Sequence, residues 1–254
     1  MTSGSPGRLI ILFAIPLMLG NICQQLYTMV DTMVVGQVAG VEALAALGAV
    51  DFLMWVVTGI STGLTQGFSI QLSQYYGAKD FENLRKSLAH SYRLTAFIAA
   101  GVLILSQSFA SLVLTGLHTP SNIIGMSLLY LRIIFCGIPA TAAYNMFASA
   151  LRAMGNSKTP LTAMIIASVL NVSLDILFVA GFGWGVAGAA IATVIAQSFS
   201  AVYCFLILRR IDIVHLTRAD FMPASGMNAR LMKLGIPVVF QNIIIGVGGL
   251  VAVS

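Results

Sequence analysis

The chain carries seven apolar runs, each near or above the ~20 residues that a helix needs to cross the hydrocarbon of a bilayer. They lie at about residues 9–35, 43–72, 92–115, 123–151, 160–180, 186–208 and 234–253. Lipid offers no partner to a free backbone N–H or C=O, so only helices or closed barrels cross it. Long runs without apolar–polar alternation read as helices. The composition points the same way: 58% of residues are hydrophobic and 8% charged, against roughly 25% charged in a soluble domain. The expected fold class is therefore an all-α membrane protein. The net charge of +5 comes from loops and does not point to nucleic acid. The first run is too long for a signal-peptide core of roughly 7–15 residues.

Loop charges orient the spans. Arg8 precedes the first. Lys79, Arg85, Lys86 and Arg93 follow the second, Arg152 and Lys158 follow the fourth, and Arg209, Arg210, Arg218, Arg230 and Lys233 follow the sixth. Connections 36–42, 116–122 and 181–185 hold no Lys or Arg, and Arg132 alone lies elsewhere, in the outer part of the fourth span. By the positive-inside rule the N-terminus is cytoplasmic, and the expected location is the plasma (inner) membrane.

Smaller signals fill in the plan. Gly59, Gly63 and Gly67 recur every four residues in the second span, the spacing of close helix approach. Gly77 reads as the stop of that helix and Asp80 as the N-cap of a short cytoplasmic helix. Cys23, Cys136 and Cys204 are widely separated in apolar runs and read as reduced packing residues. His90, His118 and His215 fall in loops or at helix ends. Trp55 and Trp184 read as interfacial anchors. "AIPLMLGNI" (14–22) is echoed by "GIPVVFQNI" (235–243), at the start of the first and seventh runs. Such an echo suggests a six-helix unit beginning a second, parallel copy. The expected organisation is a six-helix lobe over 1–210, a cytoplasmic linker over 211–233 and an incomplete seventh helix over 234–254, about half of a longer protein.

Polar groups inside the spans carry the functional signal. A carboxylate at a helix centre costs roughly 2.5–3.5 kcal/mol on insertion scales, so it faces a partner or a cavity. Asp31 lies four residues before Val35 and Asp175 five before Ala180. Both helices run outward, so the two acids share a depth in the outer half of the bilayer. Ser168, Asn171 and Asp175 share one face of the fifth span, and Asn21, Gln24, Thr28 and Asp31 one face of the first. Thr193 and Gln197 share a face of the sixth. Oxygen ligands of this kind suit a small hard cation, and paired acids equally suit proton exchange. Asp51 lies near interfacial water. Pro16, Pro139 and Pro237 interrupt spans where a lost hydrogen bond permits a bend.

The stretches "IPLMLGNICQQLYTMVDTMVVG", "QYYGAKD", "ALRAMGNSKTP" and "NVSLDILF…GVAGAAIAT" together resemble the multidrug and toxic compound extrusion (MATE) transporters. The resemblance implies a twelve-helix, two-lobed antiporter that exports cationic or amphipathic compounds in exchange for Na⁺ or H⁺. This chain would supply the N-terminal lobe and the start of the seventh helix. By resemblance the cation- or proton-coupling group is Asp31, Asn171, Asp175 and Thr193, which would also ligate Na⁺ in a sodium-coupled protein. Gln24, Tyr27 and Asn145 fall in the substrate pocket and Pro16 is the hinge. The implied partners are a small-molecule substrate, membrane lipid and the missing C-terminal lobe, within a monomeric full-length protein. No cofactor beyond the coupling ion is expected, and no enzyme activity. The alternatives are a lipid-linked substrate flippase, disfavoured because Arg132 is the one basic residue assigned within a span, and a truncated non-functional lobe. An intramembrane aspartyl protease lacks its GxGD-type motif here.

Overall fold

The computed structural model describes residues 6–222, 224 and 226–253, with the side chains of several residues near both ends left out. Residues 1–5, Pro223, Ser225 and Ser254, which the expected domain bounds include, lie outside the described residues, as does the Arg8 side chain. The described residues form eight α-helices: α1 (Pro6–Val38), α2 (Val41–Gly77), α3 (Phe81–Gly116), α4 (Ile124–Cys136), α5 (Ile138–Ala153), α6 (Lys158–Asp175), α7 (Gly185–Arg209) and α8 (Met227–Val253). A π-helical turn, Ile176–Gly181, follows α6, and two 3₁₀ turns, Asp212–Val214 and Arg218–Phe221, lie between α7 and α8. Among the described residues four helices are long and apolar enough to cross a membrane, or five if α4 and α5 make one span.

Three expectations about the elements change. The fourth run is not one helix but α4 and α5, bent by 46°. Pro139 sits in the first turn of α5 and supplies no N–H to the preceding turn. Gly137, at the break, leaves room for Val194: a Cβ there would fall 2.6 Å from Val194 Cγ2. Asp80 does cap a helix, accepting a hydrogen bond from the Asn83 N–H at 3.1 Å. That helix is α3, which runs unbroken into the third apolar run rather than forming a short cytoplasmic piece. The α2 helix ends at Gly77, but the left-handed turn belongs to Lys79, with φ 59°. Pro16 and Pro237 lie inside continuous helices.

The glycine stripe holds α2 against α8. A Cβ on Gly63 would lie 2.7 Å from Val239 Cα, and one on Gly67 2.3 Å from Gly235 Cα, so backbones touch where side chains would clash. Gly59 is looser, with Asn242 Cβ 4.0 Å away. Two apolar clusters fill the helix bundle. One gathers Val35, Leu114, Leu131, Phe135 and Val179. The other gathers Phe68, Leu72, Leu84, Leu88, Leu151, Leu208 and Leu231 around the Lys/Arg-rich end.

That end is tied by polar contacts. His90 is not in a loop: it is 2% exposed within α3, with Nδ1 2.7 Å from Asn228 Oδ1 and Nε2 3.0 Å from the Met222 carbonyl oxygen. Arg93 donates to the Phe221 carbonyl, Arg230 donates to the Tyr75 hydroxyl, and Arg85 lies 3.8 Å from Asp220. Thus α2, α3, the connection before α8 and the start of α8 meet at one end of the bundle.

Candidate functional site

Between α1, α2, α5, α6 and α7 lies a cavity of about 780 Å³. The three residues assigned to the pocket, Gln24, Tyr27 and Asn145, all line it, as do Asn171 and Thr193 of the coupling group. Asp31 and Asp175 do not. They are buried, 6% and 0% exposed. The expected convergence of acid-bearing stripes on the cavity is therefore only partial: Asn171 and Thr193 form the wall, and the acids lie behind it. Thr28 turns away and donates to the Gln24 carbonyl within its own helix.

Local structure explains how the acids are held. α1 packs on α6, with Gly20 beside Met164 and Leu161. Asp175 ends α6, and the backbone changes to π-helical pitch at Ile176. Single π turns in helices recur at functional sites. After the π turn the chain reverses, and α7 returns tightly: a Cβ on Gly188 would lie 3.0 Å from Phe178 Cβ. This reversal brings Thr193 beside Asn171.

Asn171 is the pivot of the group. With its amide nitrogen toward Asp175 it donates to Oδ2 at 3.2 Å, and its oxygen accepts from the Thr193 N–H at 3.3 Å. The opposite orientation would set the amide oxygen against the Asp175 carboxylate and the amide nitrogen against the Thr193 N–H. One oxygen of each acid, Asp31 Oδ1 and Asp175 Oδ1, is buried with no hydrogen-bond partner, and so is Gln197 Oε1. Buried polar atoms are normally paired. Orphaned carboxylate oxygens next to an amide and a hydroxyl fit a proton or a hard cation such as Na⁺. Among the described residues no three His, Cys, Asp or Glu side chains come together in a transition-metal cluster.

Several lining residues went unnoticed in the sequence. Thr58, Thr62, Gln66, Ser69 and Ser73 form a stripe down α2, and Thr141, Ser149 and Arg152 join the already assigned Asn145 in a second down α5. Both follow helical spacing, a polar period that could have been read inside otherwise apolar runs. Asn145 of α5 donates to Thr62 Oγ1 of the neighbouring α2 at 3.2 Å. Arg152 is not a loop residue: it belongs to the last turn of α5 and lines the cavity. Arg132, by contrast, is exposed and contributes only its carbonyl, to Gln107. Cys136 is also exposed, beside Gln107, whereas Cys204 packs in the core.

The MatE family model matches residues 16–177, well over half of the chain. The chain belongs to the MatE family. These proteins are membrane transporters, not enzymes, and the apolar helices make this MatE chain a multi-pass membrane protein. It is 31% identical over 252 residues to the probable multidrug resistance protein YpnP of Bacillus subtilis, covering 99% of this chain and 56% of that protein. It is 23% identical to the multidrug export protein MepA of Staphylococcus saprophyticus, over 94% of this chain and 53% of the relative. A solved multidrug resistance MATE transporter in an outward-facing conformation superposes with a TM-score of 0.88 at 26% identity, covering 94% of this chain and 53% of that one. This MatE chain thus spans about half the length of the relatives it matches.

Proposed function

We propose that this chain is the N-terminal lobe, with the start of a seventh helix, of a secondary antiporter. It exports cationic or amphipathic compounds in exchange for Na⁺ or H⁺. The observation that carries the reading is the pair of buried carboxylates, each with an unpartnered oxygen, set behind the wall of a polar-lined cavity. In this reading the lobe runs over 1–210, the linker over 211–233 and the next lobe from 234. The N-terminus is cytoplasmic, in the plasma membrane, and the complete transporter is a monomer.

The coupling runs through Asn171. While Asp175 is ionised, the amide N–H₂ of Asn171 donates to it. A proton or Na⁺ at Asp175 weakens that hydrogen bond and so loosens the Asn171 amide, which also lines the cavity. Ion and substrate thereby compete through one shared side chain. A ligand shifts a conformational equilibrium only by its differential affinity for the two states. α1 holds Asp31 and carries Pro16, whose missing N–H permits a bend, so it is the element that would respond.

The test is efflux from proteoliposomes holding the complete transporter, with an imposed Na⁺ gradient in one set and a pH gradient in another. One gradient should drive efflux. Asp175→Asn should abolish that drive while leaving membrane insertion intact. Gradient-driven efflux at the normal rate in this variant would overturn the proposal.

A further inference from the structure

Among the described residues, the cavity lining holds a single formal charge, and it is positive. Arg152 closes the α5 stripe of Thr141, Asn145 and Ser149, about 16 Å from its first member at ~1.5 Å rise per residue. Its one recorded side-chain hydrogen bond runs from Nη2 to Ser149 Oγ at 3.2 Å. No carboxylate among the described residues lies within ion-pair distance of it. A guanidinium offers five N–H donors in a planar fork, so most of this one's donors are not used by the protein.

Four other arginines at the same end have partners of their own. Arg85, Arg93 and Arg230 bind Asp220, the Phe221 carbonyl and Tyr75, and Arg209 lies over the Phe205 ring at 5.6 Å. Arg152 differs in lining the cavity, as does the aromatic Tyr144 of the same helix. The acids are not part of the lining, and Asp175 ends α6, whose first residue, Lys158, follows closely on the end of α5 that carries Arg152. Arg152 and Asp175 therefore lie at opposite ends of the bundle.

We propose that Arg152 and Ser149 form an anion subsite. The cavity then takes amphipathic molecules that carry a carboxylate or phosphate as well as a cationic part, and is not confined to plain cations. The inference rests on the reading of the cavity as the substrate site. A planar guanidinium pairs two N–H groups with two oxygens of a carboxylate or phosphate. The anionic end of the ligand docks at Arg152 and its cationic end points toward the wall that screens Asp31 and Asp175.

The experiment is a fluorescence-anisotropy titration of the purified protein in phosphatidylcholine nanodiscs. One probe is a rhodamine zwitterion with a free benzoate. The other is its methyl ester, which keeps the cation and loses the anion. The free benzoate should bind about tenfold more tightly, one charge-assisted contact's worth. Arg152→Gln should erase that preference by weakening the benzoate form alone, and Arg152→Lys should retain part of it. A repeat in nanodiscs containing phosphatidylglycerol separates the sources of the anion: competition by that lipid, lost in Arg152→Gln, also supports the subsite and assigns it to a phosphate headgroup. Equal binding of the two probes by the wild type, or a preference that survives in Arg152→Gln, overturns the subsite and leaves the cavity reading standing. Failure of both probes to bind overturns the cavity reading and the subsite together.

Discussion

At the residue scale, the behaviour of Asn171 separates coupling from mere packing. Asn171→Leu keeps the volume but supplies neither a donor to Asp175 nor a partner for Thr193. Transport by the complete protein should then lose its dependence on the imposed ion gradient, measured as the ratio of efflux with and without that gradient. A ratio equal to the wild type would remove Asn171 from the coupling path. His90 makes a different contribution. His90→Ala leaves Asn228 and the Met222 carbonyl without their buried partner, which costs about 1–3 kcal/mol. The expected result is a lower melting temperature in detergent with probe binding to the cavity unchanged. Asp80 lies outside the spans, and its hydrogen bonds from Asn83 hold its carboxyl below the usual carboxylate range. A depressed pKa contributes stability above the unfolded value, lost as the pH falls through the folded one. Hydrogen-exchange protection at the start of α3 should therefore weaken only in acid.

At the element scale, the α2–α8 contact depends on missing side chains. Gly67→Ala places a Cβ 2.3 Å from the Gly235 backbone, which cannot give way as a flexible side chain would. Overpacking of this kind costs roughly 1–3 kcal/mol. Gly101→Ala in α3 meets nothing within 4 Å and serves as the control. Thermal unfolding should show a clear loss for the first and none for the second. Equal melting temperatures would mean that α8 does not seat on α2 as described. The glycine spacing in the sequence announced a close contact, but not which helix fills it. The break between α4 and α5 was half legible: Pro139 was visible as an interruption, while its sharpness also depends on the crowding of Gly137 by Val194. The π turn after Asp175 left no mark on the apolar pattern, because Ile176–Gly181 is as hydrophobic as the α-helical residues before it.

For the whole molecule, two measurements bear on the proposed plan. Single cysteines at Lys79 and Lys158 should react with an impermeant thiol reagent only from the cytoplasmic side, and cysteines at Gln37 and Gly183 only from the opposite side, in a background lacking the three native cysteines. Labelling of Lys79 and Gln37 from the same side would break the proposed topology. An ion that binds the folded state and not the unfolded one raises stability by about 2.7 kcal/mol at a concentration 100 times its Kd. Either Na⁺ or mild acid should thus raise the melting temperature of the wild type, and Asp175→Asn should be insensitive to both.

The sequence by itself determined the membrane class, the helical content and the residues that do not belong in lipid. These follow from local quantities: the length of an apolar run, the scarcity of charge, and the cost of a carboxylate away from water. Asp31 and Asp175 stand out for that reason, and Asn171 and Thr193 join them by resemblance to the family. Only the tertiary structure decided which of them face the cavity, that the two acids lie behind its wall, and that Arg152 charges its lining. Those outcomes depend on helix rotation, on the bend at Gly137 and on the π turn at Ile176. Each is settled by contacts between helices far apart in the chain, and no window along one segment contains them.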